Sequence, residues 1–253
     1  MTLNEIRTNK TLAYVVPLVA FVLLNLLMDI INGAGLEWAH PQAPWWREWP
    51  AQWMYPIQTV LVGGLVIWFW KNYEFRPFKG VGLGVVFGAL GIALWILPSW
   101  LHGQLGLADG GWWERLGVVN REDGFDPGVL KDEFGAGAYW LSTTLRFVRA
   151  AVVVAIVEEL FWRGWLMRFV LDPDGDYWKQ EFGRAHWKSY LASTLGFMLI
   201  HQTCDFAGAI VFGSMMYFLA VRTKSLAACI VMHAVANLLM GIYALKFQQY
   251  GLW

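Results

Sequence analysis

Long runs without charged residues are the feature that most constrains the fold of this chain. Each run is about as long as the roughly 20 residues that a helix needs to cross a bilayer, and we expect seven transmembrane helices. The uncharged runs are 11–28, 50–70, 80–101, 189–204, 206–221 and 225–245, and 139–171 is a further candidate that contains charged residues. We therefore predict an all-α, polytopic membrane helix bundle, formed by 1–253 as a single integral membrane domain.

The composition agrees with a membrane-embedded chain. Hydrophobic residues make up 57% of the sequence and charged residues 15%, whereas soluble domains have about 25% charged residues. The 17 Trp and 16 Phe residues are typical of membrane interfaces. A formal net charge of zero gives no sign of a nucleic-acid partner. Cys204 and Cys229 both lie in apolar stretches, so no disulfide framework or thiolate metal site is predicted.

The distribution of basic residues predicts the orientation in the membrane. Arg7 and Lys10 precede the first run, and basic residues also occupy 71–79, 179–188 and 222–224. If seven helices alternate, these segments share one side, which the positive-inside rule makes cytoplasmic. We predict a cytoplasmic N-terminus and read 11–28 as a first transmembrane helix that is not removed as a signal.

One long loop and two arginines leave alternatives open. Segment 102–138 carries Trp112 and Trp113, and it is either a surface connection along the outer interface or a cap over a site. Arg146 and Arg149 follow it inside the fourth predicted span. Their side chains either snorkel to the headgroups, pair within the bundle, or hold a substrate carboxylate.

Two adjacent carboxylates interrupt the apolar stretch of the fourth span. Arg163 lies four residues after Glu159, which is the favoured order for an ion pair within a helix. Because adjacent helical residues diverge by about 100°, Glu158 cannot share that role. We therefore expect Arg163 to hold Glu159, and Glu158 to face a cavity.

Three further polar residues lie in predicted spans. His201 falls late in the fifth run, while His233 and Asn237 are four residues apart on one face of the seventh. Together with Glu158 they lie roughly 14 to 20 Å from the predicted cytoplasmic helix ends, in the middle band of the bilayer. Helices that pack about 8–10 Å apart can bring these groups into one cavity.

This set of residues predicts hydrolysis by an activated water. A buried carboxylate such as Glu158 can take a proton from water, and an imidazole can orient that water or bind a metal. A second imidazole and an amide can donate hydrogen bonds to an oxyanion. Taken singly, each of these residues is more often a helix-to-helix contact. A proton or small-molecule transporter that uses Glu158 is a third interpretation.

Three motifs resemble a known family. Glu158-Glu159-Leu-Phe-Trp-Arg163 looks like the EExxxR motif of the CAAX prenyl protease and bacteriocin-processing (CPBP) intramembrane proteases. Phe197-Met-Leu-Ile-His201 is similar to its FxxxH motif, and His233-Ala-Val-Ala-Asn237 to its HxxxN motif. The three occur in the family's order within a motif core at 139–245.

The resemblance implies a bundle of roughly eight helices, so the expectation is about seven to eight transmembrane helices. It also implies that Glu158 and His201 activate water, that His233 and Asn237 form the oxyanion hole, and that the remaining motif residues support them. The supporting residues are Glu159 and Arg163.

The resemblance also bears on cofactors, partners and location. A glutamate-dependent mechanism without metal is favoured, although Glu158, His201 and His233 would supply three zinc ligands. The expected partners are membrane lipids and a protein or peptide substrate, and the expected location is a bacterial inner membrane. The long loop and the two Trp residues near the motif resemble the branch associated with exosortase sorting systems. A non-catalytic scaffold or bacteriocin self-immunity protein of the same fold is the alternative function.

Overall fold

The structure, a computed structural model, describes residues 2–33, 43–107 and 111–253, and all regular elements in these ranges are helical. The predicted all-α class is therefore confirmed. Parts of the predicted loops 29–49 and 102–138 lie outside the described residues. The longer helices, numbered in chain order, are α1 (Leu3–Thr8), α2 (Lys10–Gly33), α3 (Trp45–Glu48), α4 (Ala51–Trp68), α5 (Val81–Leu105), α6 (Gly128–Phe134), α7 (Ala136–Phe169), α8 (Trp187–Leu199), α9 (Phe206–Thr223) and α10 (Leu226–Phe247).

Five helical segments in the described ranges are long and apolar enough to cross a membrane, so the predicted count of seven to eight is not confirmed. Run 50–70 forms α4, in which Gln52 and Gln58 make the first half polar. Run 189–204 forms α8, whose 13 residues extend only about 20 Å. The spanning segments are Lys10–Ile31, Val81–Leu105, Ala136–Phe169, Thr203–Thr223 and Leu226–Phe247.

The spanning helices expose apolar side chains. Only 28% of the most apolar window of α2, and the same share for α5, is buried within the protein. Leu23 and Leu26 on α2 and Val86 and Leu90 on α5 are each more than half exposed. Helices that are apolar on their exposed faces need a lipid environment, because water would not solvate them. The chain is an integral membrane protein.

The chain divides into two compact units, Met1–Tyr73 with Phe125–Val157, and Glu74–Gly124 with Glu158–Trp253. Within the first unit, α2 packs on α4 and α4 packs on the first part of α7. Arg146 and Arg149, in the part of α7 that belongs to this unit, are both buried, so the snorkelling interpretation is wrong. Arg149 donates hydrogen bonds to Gln58 and Asn25, and the Arg146 guanidinium lies 4.2 Å from the Tyr55 ring centroid. These polar contacts agree with pairing inside the bundle.

Within the second unit, α5 packs closely along α10, and glycines make this approach possible. A Cβ atom at Gly84 would lie 2.6 Å from the carbonyl oxygen of Ala228, and one at Gly88 would lie 2.5 Å from that of Met232. Small residues four apart on one helix face let two helix backbones approach in a membrane. This contact fixes the turn of α10 that carries His233, the neighbour of Met232.

Candidate active site

Glu159 joins two polar side chains of the second unit. Its Oε1 atom accepts hydrogen bonds from Arg163 Nη1 at 3.0 Å and from His233 Nδ1 at 2.8 Å. Glu159 and Arg163 are fully buried and His233 is 4% exposed. The expected ion pair is therefore present, and an imidazole from α10 joins it. Charge-assisted hydrogen bonds of this kind fix the geometry of the groups that make them.

The acid pair occupies a short α-helical segment, Ala155–Glu159, between two π-helical segments of α7. The π-helical segments are Val148–Val154 and Leu160–Leu166. π turns are rare inside α-helices and frequently mark functional sites. The wider turns change which residues share a helix face, so periodicity alone does not give the direction of each side chain along α7.

Glu158 differs from its neighbour in its surroundings. Its side chain is 4% exposed, and it accepts no hydrogen bond from any residue that the structure describes, with Oε2 fully buried. Leaving a buried carboxyl oxygen unpaired costs about 1–3 kcal/mol or more, and such groups are uncommon in folded proteins. A group retained at that cost is a candidate for chemistry. Glu159 also has a buried Oε2 without a partner, but its Oε1 holds both Arg163 and His233.

His201 does not lie inside a helix, which corrects the predicted span 189–204. Helix α8 ends at Leu199, and His201 lies in the bend that follows it. Its Nδ1 atom is 2.7 Å from the carbonyl oxygen of Phe197, one of the last carbonyls of α8. The last four carbonyls of a helix lack partners in the helix itself, and a His side chain can supply one. Since a carbonyl only accepts, Nδ1 carries the proton and Nε2 keeps its lone pair in the neutral ring.

The ring of Phe197 joins the two histidines. Its centroid lies 4.5 Å from that of His201 and 6.1 Å from that of His233. The Arg163 guanidinium carbon lies 5.3 Å from the same centroid. Residues from α7, α8 and α10 therefore meet around one aromatic side chain. From the sequence, Phe197 has no predicted role beyond its place in a motif, although its spacing of four residues before His201 is visible there.

Asn237 lies one turn beyond His233 on α10 and is half-buried. All six predicted site residues lie in the second compact unit. The structure thus brings His233, Glu159 and Arg163 into direct contact and places His201 against the same aromatic ring. It shows no hydrogen bond from Glu158 to His201 or His233, all of which are described residues.

The residues expected to bind zinc, if the protein holds it, are Glu158, His201 and His233. In the described parts of the chain, no three His, Cys, Asp or Glu side chains are grouped so that they could hold a metal ion. Glu158, His201 and His233 are therefore not assembled as a three-ligand set in this structure. His233 Nδ1 is engaged by Glu159, which leaves only Nε2 for any other partner.

Comparison with protein families matches 100 of the 253 residues to a family model. Residues 140–239 match the family described as type II CAAX prenyl endopeptidase Rce1-like. The region is Rce1-like. The match confirms the predicted resemblance and covers all three motifs, from Glu158 to Asn237. No curated protein and no solved structure matches the chain.

The Rce1-like match has a direct consequence for the site. It indicates a CAAX-protease-like intramembrane peptidase. The apolar helices of the chain fit a protease that lies in the membrane. Within the Rce1-like region lie the buried ion pair of Glu159 and Arg163, the unpartnered Glu158 and both histidines.

Proposed function

We propose that this protein is an intramembrane endopeptidase that hydrolyses a peptide bond in a protein or peptide tail, using water activated by Glu158. The observation that carries the proposal is the contrast between two adjacent buried carboxylates. Glu159 is held by Arg163 and His233, while Glu158 accepts no hydrogen bond from a described residue. The Rce1-like match over the same residues supports a protease.

In the proposed reaction, Glu158 takes a proton from a water molecule, and the water oxygen attacks the carbonyl carbon of the peptide bond. Nε2 of His201, which keeps its lone pair, accepts the second hydrogen of that water and orients it. The tetrahedral intermediate collapses when the C–N bond breaks, and Glu158 passes its proton to the leaving amine. The proton is thus returned within one turnover.

His233 and Asn237 are the proposed oxyanion donors. The amide nitrogen of Asn237 donates in every state. His233 donates from Nε2 only when its imidazole carries two protons, since Nδ1 bonds to Glu159. The carboxylate of Glu159 is a suitable partner for that imidazolium. Donors aimed at a developing oxyanion typically contribute about 2.7–4 kcal/mol each to catalysis.

We favour a metal-free, glutamate-dependent mechanism for this site. The three candidate zinc ligands are not grouped in the described residues, and the acid, two imidazoles and an amide are sufficient for the steps above. If the protein holds zinc, Glu158, His201 and His233 are the residues that would bind it, and the metal would polarise the bound water.

We also propose a bacterial inner-membrane location with a cytoplasmic N-terminus, and lipids and a peptide or protein substrate as the partners. Arg7 and Lys10, which lie before or at the start of the first spanning segment, support this orientation. A cysteine introduced at the exposed Thr8, in a Cys204→Ser background, should react with an impermeant maleimide only after the cells are opened. Labelling of intact cells would indicate the opposite orientation, with the N-terminus outside.

The decisive experiment is Glu158→Gln in protein reconstituted into liposomes with a quenched-fluorescent peptide library. We expect the rate of cleavage to fall by about 10²-fold or more, because general-base catalysis contributes about 10²–10⁴-fold. Glu122→Gln, at an exposed position of the same unit, is the matched control and should leave the rate unchanged. Full activity in folded Glu158→Gln protein would exclude Glu158 as the base and point to another base, whereas a folded wild-type protein that cleaves no peptide would favour a non-catalytic scaffold.

A further inference from the structure

Trp95, on α5, packs directly against His201. The two ring centroids are 5.4 Å apart at an angle of 61°, and the Phe212 ring lies 6.1 Å from the indole on another side. Gly208 leaves the space that the indole fills, because a Cβ atom there would lie 2.9 Å from the ring. With Phe197 also in contact, the imidazole of His201 lies between two aromatic side chains.

The indole is itself held by a buried ion pair. Trp95 Nε1 donates a hydrogen bond to Asp205 Oδ1 at 3.2 Å, and Arg121 Nη2 donates to the same oxygen at 2.7 Å. The side chains of Arg121 and Asp205 are only 5% and 15% exposed. A charge-assisted hydrogen bond in such surroundings is geometrically restrictive, so Asp205 holds the indole in one orientation.

The segment that carries Arg121 is anchored by its backbone. The Arg121 carbonyl accepts a hydrogen bond from Gly251 N at 2.8 Å, and Nη2 also reaches the Cys204 carbonyl at 3.4 Å. A Cβ atom at Gly117 would lie 3.2 Å from that same carbonyl oxygen. Residues 111–124 therefore rest on the turn Thr203–Asp205, which follows His201 directly.

We infer that Trp95, Asp205 and Arg121 are positioning residues that hold the His201 imidazole in its working orientation. The inference rests on the proposed function of His201. Nδ1 of the ring donates to Phe197, so Nε2 is the nitrogen available to the reacting water. A half-turn about the Cβ–Cγ bond would put carbon atoms in the places of both nitrogens, and the indole against the ring opposes that rotation. Segment 111–124 thereby supports the site through a chain of contacts that lies outside the family motifs.

Kinetics give the first test. Trp95→Phe keeps an aromatic ring but loses the N–H, and Arg121→Lys keeps the charge but loses the guanidinium. We expect each variant to lower kcat by about 10-fold or more and to change KM by less than about 2-fold, as for other residues that orient functional side chains. The matched controls are Trp100→Phe, at an exposed position of α5, and Arg115→Lys, at an exposed position of the same segment; both should retain kcat.

Nitrogen-15 NMR of histidine-labelled protein gives a second test that needs no activity. The wild-type protein should show a His201 Nδ1–H proton that exchanges slowly with solvent, assigned by its loss in His201→Gln. Trp95→Phe and Arg121→Lys should speed this exchange by about 10-fold or more if the ring is released. Unchanged exchange and unchanged kcat in folded variants would overturn the inference.

The two tests separate the two proposals. If the protein cleaves no peptide but the His201 proton responds to Trp95→Phe, the positioning network stands and the proposed activity fails. If the Glu158→Gln substitution abolishes cleavage while Trp95→Phe and Arg121→Lys change neither kcat nor proton exchange, the activity stands and the network fails.

Discussion

Nδ1 of His233 lies 2.8 Å from Oε1 of Glu159, and the same carboxylate oxygen receives the guanidinium of Arg163. Oε1 of Glu159 thus accepts hydrogen bonds from Arg163 on its own helix and from His233 on α10. The second acid of the motif therefore acts as an anchor between helices. Its neighbour Glu158 lacks such partners among the described residues, and for this reason we propose it as the general base.

Replacing Arg163 with Ala should strongly destabilise the protein. The substitution leaves the Glu159 carboxylate without its counter-charge at a fully buried position. Breaking a buried pair from one side costs about 3–5 kcal/mol, and we expect a loss of this order in the free energy of unfolding. Reversible unfolding in mixed micelles measures the change. The exposed ion pair of Lys179 and Asp176 supplies the control, since Lys179→Ala should cost less than about 1 kcal/mol. A stable Arg163→Ala protein would mean that water reaches the pair.

Glu159→Gln should retain more activity than Glu158→Gln. The amide oxygen of Gln can still accept the Nδ1–H of His233, but the charge that stabilises the imidazolium is lost. We expect Glu159→Gln to lower kcat by about 10–100-fold, which is the usual effect of losing an orienting partner. Glu158→Gln should lower kcat by at least about 10²-fold, because it removes the general base. Peptide cleavage by the two purified variants, matched for folded fraction, gives the comparison. If Glu159→Gln were instead the less active variant, Glu159 would be the general base and Glu158 the supporting residue.

Gly88→Ala should destabilise the protein, whereas Gly82→Ala on the same helix should not. A Cβ atom at Gly88 would lie 2.5 Å from the Met232 carbonyl oxygen, while one at Gly82 meets nothing within 4 Å. Forcing the helices apart should cost about 1–3 kcal/mol. Gly82→Ala should instead stabilise α5 by up to about 1 kcal/mol through helix propensity. Thermal unfolding of the two variants should therefore shift in opposite directions. Equal shifts would contradict the close approach of α5 and α10.

We expect active protein to contain no stoichiometric zinc. Elemental analysis of protein purified without chelator, together with activity after dialysis against a strong chelator, checks this expectation. Retained activity with less than about one tenth of an equivalent of metal would agree with the glutamate mechanism. Stoichiometric zinc whose removal abolishes cleavage and whose return restores it would assign Glu158, His201 and His233 as ligands.

Local relationships along the chain were predictable. The ion pair between Glu159 and Arg163 depends only on a spacing of four residues within one helix, and it is present. The all-α class followed from the length of the uncharged runs, and the resemblance of residues 140–239 to a known family followed from three short motifs. None of these inferences needs a contact between two helices.

Relationships between helices were not predictable. The sequence predicted a cavity shared by Glu158, both histidines and Asn237, which stays a prediction, and it did not predict the hydrogen bond from His233 to Glu159. The end of α8 before His201 was missed because residues 189–204 are uniformly uncharged, and only the tertiary contacts show where the helix stops. The contact of Trp95 with His201 could not be predicted, because nothing in the sequence distinguishes this Trp from the other 16.

The π-helical turns of α7 have a consequence for the length of that helix. A π turn closes its hydrogen bonds over five residues instead of four, so it accommodates an extra residue. Removing one of residues 160–162 would place Arg163 three positions after Glu159 instead of four, and would turn it by about 100° around the helix axis relative to Glu159. The guanidinium would then leave the acid that it neutralises, even though the composition of the segment had hardly changed. In this helix the number of residues matters as much as their identity.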